Sequence, residues 1–142
     1  MREIKFRGKD KLTNQWVYGY FVGISGEDAI IISANQVNYD LGCIGVSECH
    51  YCDIKTIGQF TGLTDKNGKK IFEGDILKDD WGKIFEVIFT TSSCGFMVEC
   101  IIAPSEFETG RYRIGDVWCN TISVIGNIYD NPELLKGDNV EV

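Results

Sequence analysis

The 142-residue chain carries 14 Lys+Arg against 21 Asp+Glu, one His, six Cys, two Pro and sixteen Gly, for a formal net charge of −7. Its 44% hydrophobic and 25% charged residues exclude a disordered chain, and apolar runs such as Ala29–Ile32 and Cys100–Ala103 are too short to span a bilayer. The charge is uneven: residues 1–83 hold 11 basic against 12 acidic side chains and residues 84–142 hold 3 against 9, which disfavours binding that rests on a basic stripe. The opening MREIKFRGKD has charges where a signal peptide needs an apolar stretch. The expectation is therefore a cytoplasmic domain with no membrane partner.

Helical periodicity is nearly absent, and β-branched and aromatic runs are cut by Gly at strand-like intervals. The first predicted strand, Ile4–Arg7, lies in the one locally basic stretch, where Arg2, Lys5, Arg7, Lys9 and Lys11 outnumber Glu3 and Asp10. Its plain reading is the solvent face of a strand, with a small basic groove as the alternative. The second, Trp16–Gly23, puts Trp16, Tyr18 and Tyr20 on one face, either as core or subunit interface or as a stacking platform for bases or peptides.

Ala29–Ser33 follows, and the strand pattern then lapses over residues 38–55. That lapse is the best seam in an otherwise single unit 1–142, dividing lobes 1–55 and 56–130. Within it lies Cys49-His50-Tyr51-Cys52, a C-x-x-C that encloses the only His. Zinc needs four ligands, and no second C-x-x-C supplies the rest, so reduced thiols are expected and no metal or cofactor. Adjacent side chains on a strand point to opposite faces, so His50 is a poor base for Cys49, and no catalytic residue is assigned.

Thr56–Leu63 and Lys70–Phe72 flank Asn67-Gly68, the strongest short-range hairpin signal. A two-residue loop sets Leu63 opposite Phe72, whereas a three-residue loop with a bulge at Gly68 sets Leu63 opposite Ile71. Both need positive φ at Gly68. Gly74-Asp75-Ile76 reads as a tight bend into strand Asp75–Lys78. Ile84–Thr90 is apolar on both faces, as a central strand should be. Gly95–Ile101, Tyr112–Ile114 and Thr121–Tyr129 complete the strands. Asn131-Pro132-Glu133-Leu134-Leu135 places a capping residue before Pro at the first helical position, and predicts one short C-terminal helix. The fold class is all-β: a compact sandwich or SH3-like barrel of short antiparallel strands.

The stretch TIGQFTGLTDKNGKKIFEGDIL, Thr56 to Leu77, resembles the hallmark of the YopX-like proteins, small proteins of phages and prophages, and both chain ends, IKFRGKD with WVYGYFVG and SVIGNIYDNPELL, resemble that family as well. The resemblance implies an all-β fold of SH3-like character, a bacterial or phage origin and a cytoplasmic life during infection or lysogeny. It implies no reaction and no catalytic residues.

Polar residues of the hallmark are the remaining candidates for chemistry. Asp65, Glu73 and Asp75, with Gln59 and Thr61 on the preceding strand, could form a binding surface or hold Mg²⁺. Alternatively, the two Asp side chains stabilise turns and Glu73 is merely exposed. Together with Arg7 and Trp16 these residues form the candidate site. The reading is a non-enzymatic accessory protein that binds a host or phage protein or a second copy of itself. The rivals are a small nuclease using Asp65, Glu73 and Asp75, and a nucleic-acid regulator using the basic N-terminus.

Overall fold

Short apolar stretches, too brief for stable helices, pair as antiparallel strands throughout the computed structural model, which describes residues 1–26, 28–33, 37–46 and 48–136. The chain divides into two compact units, Met1–Phe60 and Thr61–Val142. Among the described residues no helix is long and apolar enough to cross a membrane.

The first unit contains β1 (Phe6–Lys9), β2 (Trp16–Ser25), β3 (Asp28–Ile32), β4 (Val37–Asp40), β5 (Cys43–Val46), β6 (His50–Asp53) and the opening residues of β7 (Gly58–Thr64). Its strands are ordered β6-β3-β2-β1-β7, and β4 and β5 form a separate hairpin. Ala29, Ile31, Ile32, Cys52 and Phe60 form its buried apolar part. A bulge between Phe21 and Gly23 shifts the register of β2 on β3.

The second unit contains the remainder of β7, then β8 (Lys70–Phe72), β9 (Asp75–Asp79), β10 (Ile84–Thr90), β11 (Gly95–Ile102), β12 (Gly110–Arg113), the one-turn helix α1 (Asp116–Cys119) and β13 (Ile122–Asn127). Its main sheet runs β12-β11-β10-β9-β13, with the doubly apolar β10 in the centre as its sequence requires. Ile71, Leu77, Phe85, Val87, Val98, Cys100, Cys119 and Ile122 fill the core, with Leu63, Trp118 and Val124 packed against it.

The all-β class holds, with several corrections of detail. Among the described residues no sheet closes into a barrel, since β12 and β13 stand at opposite ends of their sheet. The stretch 38–55 carries three strands that the sequence pattern concealed. The hairpin between β4 and β5 turns through Leu41-Gly42, with φ of 50° and 79°. A leucine in the left-handed region hides the turn from any search for Asn-Gly. The C-terminal helix is a 3-10 turn, Pro132–Leu135, and Asn131 makes no side-chain cap. Its Oδ1 instead accepts from the Asn127 N–H at 3.3 Å, in space that only a glycine at 126 leaves open.

Candidate functional site

β1 lies between β2 and β7, with Arg7 opposite Tyr18 and Lys9 opposite Trp16. Alternation therefore puts Lys5, Arg7 and Lys9 on the face that carries Trp16, Tyr18 and Tyr20. The cations sit over the rings: Arg7 Cζ is 4.7 Å from the Trp16 centroid, Lys9 Nζ 5.6 Å from the same ring, and Lys5 Nζ 5.9 Å from that of Tyr18. Arg7 is buried, which corrects its reading as a solvent-face residue. Its guanidinium lies against the indole, a contact that strengthens as water is excluded. Tyr18 and Tyr20 remain about half exposed, at 43% and 50%, and so form the accessible part of the face. Gln59 pairs with Phe6 in β1 and so lies on the opposite face from Arg7.

The hallmark residues of the second unit do turn work. The β7–β8 hairpin adopts the three-residue loop: Asp65 N–H donates to Lys69 O, Gly68 N–H donates to Asp65 O, and Gly68 has φ 81°. Asp65 Oδ1 accepts from the N–H groups of Asn67 and Lys69, and Oδ2 accepts from Val124 N–H of β13 at 2.9 Å. Burial pushes the Asp65 pKa up, but these three donors and the nearby Lys69 charge outweigh it, holding the carboxyl below its usual range. Asp75, at the other end of β8, accepts from Phe72 N–H at 2.7 Å and is 1% exposed. Thr61 is buried and donates its hydroxyl to Ile71 O. Glu73 is half-buried beside the bend. With three of its acceptor sites taken by the backbone, Asp65 is poorly placed to hold a metal.

The same turn occurs again fourteen residues later in the chain. Asp79-Asp80-Trp81-Gly82-Lys83 repeats the Asp-x-x-Gly-Lys of residues 65–69. Asp79 N–H donates to Lys83 O, Asp79 Oδ1 accepts from the N–H groups of Trp81 and Lys83, and Gly82 has φ 86°. Lys66 of the first turn and Asp80 of the second form an ion pair at 3.0 Å.

Sequence reasoning missed one pair. In the first unit His50 Nδ1 lies 2.8 Å from Asp10 Oδ2, while Asp10 Oδ1 accepts from the N–H groups of Leu12 and Thr13. The His50 bond is the largest cause holding the Asp10 carboxyl below its usual range. Finding it required knowing that β6 exists, since β6 brings residue 50 back to residue 10. Cys52, two residues on, is fully buried, and burial, helped by the Asp10 charge, pushes its thiol up to about 11. Cys49, by contrast, is exposed, so the C-x-x-C is split between two environments. Among the described residues no group of three or more His, Cys, Asp or Glu could hold a metal ion.

Comparison with known proteins agrees with this architecture. The crystal structure of protein EF1440 from Enterococcus faecalis superposes with a TM-score of 0.60 at 26% identity, covering 96% of this chain and all of that one. No curated protein sequence matches the chain. Residues 5–136, which include the Asp-led turns and the β1–β2 face, match the family described as YopX protein, and the chain belongs to the YopX family.

Proposed function

We propose that this YopX protein is a non-enzymatic binding module, an accessory protein acting in the bacterial cytoplasm during phage infection or lysogeny. Its ligand is a protein surface, in the first instance that of a second copy of the chain. The observation that carries this reading is the β1–β2 face: three cations are seated over the rings of Trp16 and Tyr18, and Tyr18 and Tyr20 are about half exposed to solvent. Tyr, Trp and Arg are the residues that concentrate binding energy in protein interfaces.

Charge gives the face its counterpart. Residues 84–142 carry 9 acidic against 3 basic side chains, so an acidic region of one copy complements the basic first strand of another. A nucleic-acid strand could also stack on the tyrosines, but a chain of net charge −7 repels a polyanion at long range. Light scattering at micromolar concentration tests the reading. The mass should rise above the 16.0 kDa of one chain at low salt and fall when Tyr18 and Tyr20 are replaced by Ala. A mass that stays near one chain on concentrating defeats self-association, and tight retention of an oligonucleotide would favour the nucleic-acid reading instead.

A further inference from the structure

The second unit holds a cleft that neither the hallmark turns nor the β1–β2 face accounts for. It encloses about 330 Å³, walled by Trp81, Phe85, Tyr112 and Trp118, with Lys83 and Arg113 completing the cationic part of its lining. Three separate pieces of chain build it: the second Asp-led turn with the start of β10, then β12, then α1. Two of the walls are fixed. Trp118 packs edge-on against Phe85 with ring centroids 4.9 Å apart, and Tyr112 donates its hydroxyl to Glu108 O at 2.6 Å.

The other wall is an anomaly. Trp81 is 66% exposed, yet its turn uses only the backbone N–H of residue 81. The hydrogen bonds of the turn therefore do not depend on the indole, which is left largely open to solvent. Asp79 also borders the cleft, but its Oδ1 is occupied by the N–H groups of Trp81 and Lys83. Lys83 is only loosely paired, 3.6 Å from Glu108, and Arg113 lies exposed at the edge strand.

We propose that this cleft binds a nucleoside monophosphate, with the base against the tryptophan and tyrosine rings and the phosphate held by Arg113 and Lys83. Flat π faces select a flat ring regardless of its hydrogen-bonding edge. A guanidinium that is always charged, with an ammonium lining the same cleft, suits a phosphate dianion. The volume lies at the low end for small-molecule sites, enough for one nucleotide and too little for a strand. The acidic balance of residues 84–142 opposes an extended polyanion more strongly than a single phosphate, which meets the cleft's own Arg113 and Lys83. Asp79 at the rim and Glu108 beside Lys83 set two carboxylates against the two cations, so the preference for a phosphate over an organic cation rests on the exposed Arg113, and the tetramethylammonium comparison below tests it.

Calorimetric titration of the full chain with AMP and GMP tests the proposal, with adenosine, inorganic phosphate, tetramethylammonium and a short oligonucleotide as comparisons. The expected result is saturable binding of a mononucleotide with Kd of roughly 1 mM or tighter, weaker binding of adenosine and of phosphate, and at least a tenfold loss in both Trp81→Ala and Arg113→Ala. Both side chains are exposed, so the variants keep the fold, and an unchanged circular dichroism spectrum checks that. The proposal is overturned if neither nucleotide binds, if both variants bind as the parent does, or if adenosine binds as tightly as AMP. Preference for tetramethylammonium or for the oligonucleotide overturns it equally, by assigning the cleft to another class of ligand.

Discussion

Asp65 shows how a residue that looks chemical from its motif can be architectural. Its carboxylate gathers three backbone N–H groups, two from its own turn and one from β13, 59 residues away. Asp65→Ala strands those donors and should destabilise the protein by about 2–4 kcal/mol, measured by urea unfolding. Because its folded pKa is lowered, the carboxylate's contribution is complete above the unfolded value and disappears as pH falls through the folded one. Acid should therefore reduce the stability gap between parent and Asp65→Ala, and a gap that is constant from neutral pH to below pH ~3 contradicts this account. Gly68 and Gly82 occupy equivalent positions in the two Asp-led turns, and a side chain at either meets no neighbour within 4 Å. Alanine at each should cost on the order of 1 kcal/mol, from backbone strain alone, and the two losses should match.

At the scale of elements, the β1–β2 hairpin is held at both its face and its tip. On the face Arg7 is buried against Trp16, and Arg7→Ala should cost roughly 1–2 kcal/mol through lost packing and cation–π contact, readable as a lower urea midpoint. At the tip Asp10 caps its own loop and binds His50 of β6, and Lys11 N–H donates to Tyr51 O beside it. The His50 bond is the first cause of the lowered Asp10 pKa, so His50→Ala should move the Asp10 carboxyl titration upward toward the ordinary value in NMR. With His50 present, the Asp10 contribution to stability is full above the unfolded pKa and is lost as pH falls through the folded one. An Asp10 titration indifferent to His50 would leave the pair without energetic content.

For the whole molecule the expected behaviour is salt-sensitive self-association. In the proposed assembly the acidic excess of residues 84–142 would attract the basic first strand of another copy over a Debye length of ~8 Å at physiological ionic strength, and less as salt rises. The apparent mass by light scattering should therefore fall toward 16.0 kDa between low and high salt. An assembly that tightens with salt would point to an apolar interface elsewhere, and the exposed aromatics of the β1–β2 face would lose their assigned role.

Much of the strand pattern was determined by sequence, because period-2 apolarity and Gly punctuation are local properties. The central position of β10 and the positive φ at Gly68 follow directly from such signals. Local rules left the hairpin register open, and it was decided by Asp65, whose side chain favours the three-residue loop only because it folds back onto its own backbone and reaches β13. The hairpin of β4 and β5 stayed hidden behind a leucine in a left-handed turn, and with β6 unseen the Asp10–His50 pair could not be foreseen. The candidate residues form one set by motif, but they occupy separate places: Arg7 and Trp16 stack, Gln59 lies on the opposite face, and Asp65 and Asp75 cap opposite ends of β8. Periodicity reports which face a side chain occupies, whereas which residues meet depends on contacts between strands far apart in the chain, and those exist only once the sheets have formed.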